Sequence, residues 1–156
     1  MKDIKRIVVP LDFLEHTDRL VEYAVYMAKK FSAIPYFFHV VNFYPGTAML
    51  DTPYVQVCTE KLLSDAEAKM SQLLADNSVR CPGSIGEVAT GDPVDKIIEF
   101  AKEKHSDLII INTHGAKGLE RIMLGSVAER VLKGAHCPVL VMNPFKAQSG
   151  RLGWLS

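Results

Sequence analysis

Short apolar runs alternate with longer amphipathic stretches along this chain. Residues 4–11 hold the apolar run Ile7-Val8-Val9, which Pro10 ends, and residues 36–41 and 108–111 form two further runs without alternation. Each run is too short for a helix. Such runs are typical of strands that are buried on both faces. Weaker apolar runs at residues 86–90 and 138–142 predict two further strands.

Apolar residues spaced three or four positions apart predict a helix in each of four intervening stretches. The positions expected to be buried are Leu20, Val21, Ala24, Val25, Ala28, Phe31, Leu62, Leu63, Ala66, Met70, Leu73, Leu74, Ile97, Ile98, Ala101, Val127, Val131 and Leu132. Asp92 and Pro93 are typical of a helix start. The last helix is predicted to begin near Gly125 and to end at Gly134. Residues 43–54 lack periodicity and predict a long loop.

The alternation of strands and helices predicts an α/β fold with one parallel sheet covered by helices on both faces. Right-handed crossovers leave few topologies, and a doubly wound sheet avoids a bare face. Ligands in such sheets bind beyond the carboxyl ends of the strands, where the strand order reverses. Asp12, Val41 and the turn from Asn112 to Gly115 fall at these ends. We therefore expect the ligand site there.

The composition narrows the class of protein. A chain of 156 residues with 48% hydrophobic residues suits one domain with a substantial core. Lysine plus arginine equals aspartate plus glutamate at 18 each, so no net charge favours nucleic acid or an anionic membrane. No apolar run is long enough to span a bilayer, and the first residues do not resemble a signal peptide. Cys58, Cys81 and Cys137 form no CxxC pair, so we expect neither disulfides nor a zinc site, and a cytoplasmic location.

The segment after the fourth strand carries the chemistry. Gly115 lies in the turn that follows this strand, and Gly125-Ser126 open the next helix. Small residues at a helix start leave backbone N–H groups uncovered, and such groups attract anions. The segment therefore predicts a ligand that bears phosphate. The chain contains no GxxxxGK[ST], GxGxxG, GxSxG or HExxH pattern, which excludes the site classes that these motifs mark.

The same segment resembles the Gly-x2-Gly-x9-Gly-[Ser/Thr] motif of ATP-binding universal stress proteins. The matching residues run from Asn112-Thr113-His114-Gly115 through nine residues to Gly125-Ser126. IVVPLD, HVV, GDPVDKI, LGSVAERVL and CPVLVM extend the resemblance over nearly the whole chain. It implies a single Rossmann-like domain at residues 1–145, and the composition of residues 146–156, rich in Gly, Ser and Lys, predicts a flexible tail. The implied five-stranded parallel sheet has the order 3-2-1-4-5, with helices on both faces. The resemblance also implies a homodimer through the last strand, from Pro138 to Met142.

Position by position, the resemblance implies a set of nucleotide-binding residues. These are Asp12, Val40, Asn112, His114, Gly115, Gly125, Ser126 and Val127. Asp12 takes the place of the family's aspartate at the adenosine end, where a carboxylate accepts from hydroxyl or amine groups. Val40 takes the place of the residue whose backbone contacts adenine. The two glycines and Ser126 surround the phosphates and ribose, where the helix dipole favours negative charge.

Two positions depart from the family pattern. Asn112 replaces the first motif glycine, and its side chain either occupies space that the ligand needs or donates hydrogen bonds to it. Asparagine tolerates left-handed backbone, which would preserve the turn. The usual serine after the first strand is missing, and Thr17 is the candidate cap of the next helix. Asp12 itself is open to two interpretations, as a ligand contact or as a local cap.

Other polar and aromatic residues have a structural alternative beside each functional one. His114 is a phosphate contact, a general base or a solvated loop residue, and His39 is expected to pack between elements. Lys117 and Arg121 either close over a triphosphate or are ordinary surface charges. Three aromatic residues flank the long loop and either fold over adenine or anchor the loop to the sheet: Phe43, Tyr44 and Tyr54.

The sequence thus predicts a cytoplasmic universal stress protein that binds ATP, alone or with Mg²⁺, as a sensor or regulator of the stress response. The alternative is a dimeric family member that binds no nucleotide and acts only through protein contacts. We predict no catalytic residue and no metal ligand. ATP hydrolysis needs a residue that positions water near the γ-phosphate, so at most slow hydrolysis is expected.

Overall fold

The computed structural model describes residues 3–42, 52–113 and 124–144. Strands and helices alternate through these residues. Their order is β1 (Arg6–Leu11), α1 (Thr17–Phe31), β2 (Ile34–Val41), α2 (Pro53–Asn77), β3 (Ile85–Thr90), α3 (Pro93–Glu103), β4 (Leu108–Asn112), α4 (Ser126–Gly134) and β5 (Val139–Met142). The strand and helix assignments made from the sequence are confirmed, with shifts of one or two residues at most ends. Helix α2 is the exception, because it begins at Pro53 inside the segment predicted to be a loop.

The five strands form one parallel sheet in the order β3-β2-β1-β4-β5. This is the predicted topology. The chain winds outward from β1 to β3, returns through α3 to β4 beside β1, and continues outward to β5. The strand order therefore reverses between β1 and β4, and the carboxyl ends of these two strands mark the switch point at which such sheets bind ligands.

Two helices cover each face of the sheet. Helices α1 and α2 pack with Ile7, Val9 and Ile110 in one core cluster, and α3 and α4 pack with Val8 and Ile109 in the other. Successive residues of one strand therefore enter opposite cores, because their side chains alternate across the sheet. This explains why the central strands are apolar at consecutive positions.

Helix α2 is longer than the sheet beneath it. Its 25 residues span about 37 Å, whereas the six residues of β3 span about 20 Å. The amino-terminal half of the helix consequently has little sheet to cover, and Leu62, which the sequence predicts to be buried, is 56% exposed. Ala66 and Met70, nearer the carboxyl end, are buried as predicted.

Two other predicted core residues are exposed, namely Leu132 and Phe31. Helix α4 buries Ala128 and Val131. Leu132 lies about 100° around the helix from Val131 and is 47% exposed.

The end of α4 at Gly134 is confirmed, but the reason for this glycine differs from the expected one. Gly134 is the last residue of the helix and is not in the left-handed conformation of a helix cap. A Cβ atom at this position would lie 2.5 Å from Cδ1 of Ile98 in α3. Glycine therefore allows α3 and α4 to approach closely.

Several predictions concern residues outside the described ranges. They are those made for Phe43, Tyr44, His114, Gly115, Lys117, Arg121 and the tail at residues 146–156. The third aromatic residue of that group, Tyr54, belongs to the first turn of α2 and is 77% exposed.

Candidate functional site

A cavity of about 240 Å³ lies at the carboxyl ends of β1, β2 and β4, and we call it the switch-point cavity. Six of the eight residues that the sequence predicts for nucleotide binding line it: Asp12, Val40, Asn112, Gly125, Ser126 and Val127. The other two, His114 and Gly115, lie outside the described residues. Elements that are distant in sequence therefore bring the described candidates to one place. Their role in binding stays a prediction.

The start of α4 forms one wall of this cavity. Gly125 is the N-cap residue and has extended backbone (φ −61°, ψ 151°), and no side chain caps the helix within the described residues. The Gly125 N–H donates to the Thr113 carbonyl at 2.6 Å, which ties the helix start to the end of β4. The first N–H groups of a helix have no partner inside it. This wall therefore offers backbone donors and the positive end of a helix dipole.

Asp12 lies where β1 ends and serves the local turn. Its Oδ1 accepts hydrogen bonds from the Leu14 N–H at 2.9 Å and from the Thr17 hydroxyl at 3.3 Å. Thr17 is not the helix cap, so that prediction was wrong. The N-cap is His16, which makes no side-chain cap bond, and the Thr17 hydroxyl is directed to Asp12 instead. A carboxylate can accept about four hydrogen bonds, so these two local bonds leave capacity for a ligand.

The backbone of Val40 faces the end of β1. The Ile34 N–H donates to the carbonyl of Lys5, the residue before β1. Successive residues of a strand direct their backbone groups to opposite neighbours, so Val40, an even number of positions after Ile34, faces β1 as well. The register of β1 and β2 ends at the pair of Leu11 and His39, one residue before Val40. Phe13 then takes a left-handed conformation (φ 57°), which turns the chain after β1. This arrangement places the Val40 backbone at the rim of the cavity.

Asn112 is the last residue of β4 and pairs with Met142 of β5. Its φ is not positive, so the turn does not use the left-handed tolerance of asparagine considered above. The side chain is half-buried, and its buried Oδ1 has no hydrogen-bond partner within the described residues. An unsatisfied buried acceptor costs about 1–3 kcal/mol. Within the described residues, Asn112 is thus held by the pairing of β4 with β5.

A second cavity, of about 310 Å³, lies against α2 and is called the α2 cavity here. It shares Asp12, His39 and Val40 with the switch-point cavity, so the two spaces meet at the ends of β1 and β2. Asp65 and Lys69 of α2 line its far side. Sites for small molecules typically have volumes of about 300–1,000 Å³, and the two cavities together provide space of this order.

The charge of the switch-point cavity is low. Asp12 is the sole charged residue lining it in the described part of the chain. Within residues 3–42, 52–113 and 124–144, no group of three histidine, cysteine or carboxylate side chains is arranged to hold a metal ion. None of the helices in these ranges is long and apolar enough to cross a membrane. Backbone donors at α4 and one carboxylate are therefore the main polar features of the site.

For His39, the sequence predicted only a packing role. Its Nδ1 lies 2.7 Å from the Leu11 carbonyl oxygen, and its ring centroid lies 4.7 Å from that of Phe13. The packing is confirmed. The position of His39 on the wall of both cavities was not anticipated, although the HVV run places it directly before Val40.

Comparison with known proteins agrees with this architecture. The universal stress protein family profile matches residues 3–143. Universal stress protein MJ0531 of Methanocaldococcus jannaschii is 36% identical over 147 residues, which cover 92% of this chain and 85% of that protein. The solved structure of hypothetical protein MJ0577 from the same organism has a TM-score of 0.75 at 27% identity, covering 91% of this chain and 97% of that one. A universal stress protein from Archaeoglobus fulgidus, solved in complex with dAMP, has a TM-score of 0.59 at 22% identity. The match covers 90% of this chain and 98% of that one.

Proposed function

Because the chain belongs to the universal stress protein family, we propose that it binds an adenine nucleotide, ATP, in the switch-point cavity and acts as a sensor or regulator of the stress response. The observation that carries this proposal is the start of α4. With Gly125 as the N-cap, no side chain within the described residues caps the backbone N–H groups of this helix start. The helix start lies beside the switch-point cavity. Helix starts of this kind are suited to phosphate groups.

The cavity has two chemically different ends, and they orient the nucleotide. The phosphates lie against the start of α4, at Gly125, Ser126 and Val127, where backbone N–H groups are available. The nucleoside lies at the ends of β1 and β2, where Asp12 accepts from ribose hydroxyls and the Val40 backbone meets adenine. The dAMP complex of the Archaeoglobus fulgidus relative supports an adenine nucleotide as the class of ligand.

Residues outside the described ranges complete the proposed site. His114 and Gly115 follow β4 and contact the phosphates, and Lys117 and Arg121 supply positive charge to them. Mg²⁺ enters with the nucleotide, because this ion is commonly held by substrate phosphates and a few carboxylates. Nucleotide binding then alters the surface that the protein presents to partners.

We further propose a homodimer that pairs through β5. This strand lies at the edge of the sheet, and Val139, Leu140 and Val141 are only half-buried in the single chain. An unpaired apolar edge is favourably covered by another strand. Sedimentation equilibrium is expected to give a dimer, and Val141→Lys is expected to shift it to monomer.

A second candidate function is favoured by Asn112. A side chain at the first motif glycine adds a buried polar group without a partner beside the cavity. If this side chain excludes the nucleotide, the protein acts through protein contacts alone. The two candidates differ in what they predict for ATP.

Calorimetry with Mg·ATP on dialysed protein separates the two candidates. We expect the native protein to bind ATP and Gly125→Val to weaken binding about 100-fold or more, because branched carbons would cover the donors at the helix start. Gly125→Ala is the matched control with a smaller expected loss. The extended backbone at Gly125 is one that any residue adopts, and equal unfolding midpoints of the two variants check that the fold is kept. No binding by the native protein at millimolar ATP, with binding restored in Asn112→Gly, would establish the second candidate.

A further inference from the structure

The tautomer of His39 is determined by its neighbour. The Leu11 carbonyl oxygen, 2.7 Å from Nδ1, can only accept a hydrogen bond, so Nδ1 carries the proton. In the neutral ring Nε2 then holds a lone pair. Phe13 packs at 47° to the imidazole and fixes its plane. The ring is therefore held in one orientation with its acceptor nitrogen opposite the strand.

Nε2 has no hydrogen-bond partner within the described residues, although His39 is only half-buried and lines both cavities. The charged groups around these cavities are Asp12 from the loop after β1 and Asp65 and Lys69 from α2. None of the three is bonded to His39. A fixed acceptor at the junction of two cavities is suited to a ligand that supplies a donor.

We propose that Nε2 of His39 accepts a hydrogen bond from an N–H or O–H group on the nucleoside part of the ligand. The inference rests on the proposed function and names a further residue for specificity within it. His39 precedes Val40 on β2, at the nucleoside end, whereas the donors for phosphate lie at α4. The adenine amine and the ribose hydroxyls are the donors of a nucleoside, so His39 discriminates against ligands that lack the relevant one.

A hydrogen bond to His39 makes the affinity for the ligand depend on pH. Protonation converts Nε2 from an acceptor to a donor and leaves the Nδ1 bond to Leu11 intact. A ligand that donates to Nε2 therefore binds the neutral ring, and its affinity falls as the pH is lowered.

Adenosine is the appropriate probe, because a nucleotide phosphate itself titrates near pH 6. We compare the native protein with His39→Asn, whose amide N–H can still reach the Leu11 carbonyl but which has no group at the Nε2 position. At pH 8 the native protein is expected to bind adenosine about tenfold more tightly than the variant, the value of one hydrogen bond. The difference narrows as the pH is lowered, and the affinity of the variant is independent of pH. Equal unfolding midpoints without ligand exclude a purely structural effect.

His39→Gln provides a rescue, since its amide reaches the Nε2 position. Part of the lost affinity returns in this variant, without the pH dependence. Inosine and 2′-deoxyadenosine then identify the donor, because the analogue that lacks it binds the native protein and His39→Asn equally.

Three outcomes overturn the inference. Equal affinity of the native protein and His39→Asn for adenosine at pH 8 would show that His39 does not contact the nucleoside. The proposed function would be unaffected by this result. Tighter binding on acidification means that the protonated ring donates to the ligand. Absence of adenosine and ATP binding by the native protein overturns the proposed function and this inference together.

Discussion

The two ends of the same sheet use their polar residues differently. At the amino end, Asp107 Oδ2 accepts from the N–H groups of Lys5 and Arg6, both at 3.0 Å. The buried Ser106 hydroxyl donates to the Leu108 carbonyl at 2.9 Å. These side chains hold the start of β1 and β4 in place. They are bonded to backbone, so they serve the fold.

At the carboxyl end, several groups lack such partners within the described residues. Oδ1 of Asn112 is buried without a hydrogen bond, Nε2 of His39 is unbonded, and no side chain caps α4 after Gly125. The side chains at the amino end thus bond to the backbone of the strands that they hold in place, whereas those at the carboxyl end line a cavity. The carboxyl end is also where sheets of this class bind ligands.

The largest effect on stability is expected at the amino end. Asp107→Ala removes two hydrogen bonds to a charged acceptor and is expected to lower the free energy of unfolding by about 2–3 kcal/mol. Binding of ATP should not change, because the cavity lies about 20 Å away along β1. Chemical denaturation and calorimetry measure the two quantities. Asp107→Asn, which keeps an acceptor oxygen, should lose about half as much; a parallel loss of ATP affinity would show that the two ends are not separate.

A smaller effect, on affinity, is expected at the carboxyl end. Asp12→Asn keeps an amide oxygen for the Leu14 N–H and the Thr17 hydroxyl but removes the negative charge. We expect adenosine to bind about tenfold more weakly, with the free energy of unfolding nearly unchanged. Thr17→Val is the control, since it removes only the local bond to Asp12. A variant that binds normally but is less stable would make Asp12 a turn residue only.

The smallest effect concerns the thiols. Burial raises the pKa of the Cys137 thiol, near the amino end of β5. Cys58 is exposed. The thiolate is the reactive form, so Cys137 should be alkylated several-fold more slowly than Cys58 at pH 8 in the native protein, with similar rates after unfolding. Because the folded-state pKa is raised, the contribution of this thiol to stability is present at neutral pH and is lost as the pH rises through that pKa. Peptide mapping by mass spectrometry measures the rates; equal native rates would contradict the assignment.

Much of the fold follows from local pattern. The apolar runs at β1, β2 and β4 and the helical periodicity of α1 and α3 predict the observed elements. Leu62 and Leu132 were placed wrongly because their periodicity fits a buried face, whereas their burial depends on where the sheet ends and on which side of α4 meets it. Periodicity shows which side of a helix is apolar, but it does not show which element packs against that side.

The candidate site could be predicted to a similar extent. Asp12, Val40 and Gly125 follow from motif positions at strand and helix ends, and they line one cavity. The role of His39 could not be predicted, because its orientation is set by the Leu11 carbonyl, 28 residues away in sequence.

The sequence by itself determined the order of the elements, the parallel sheet and the family, because hydrophobic period and motif spacing are local properties of the chain. Only the tertiary structure decided which polar groups are satisfied. Asp12 is bonded within its own loop, whereas Asn112 Oδ1 and His39 Nε2 are left without a partner in the described part of the chain. Hydrogen bonding of this kind depends on atoms brought together from distant segments, and these are fixed only when the strands pair and the helices pack on them.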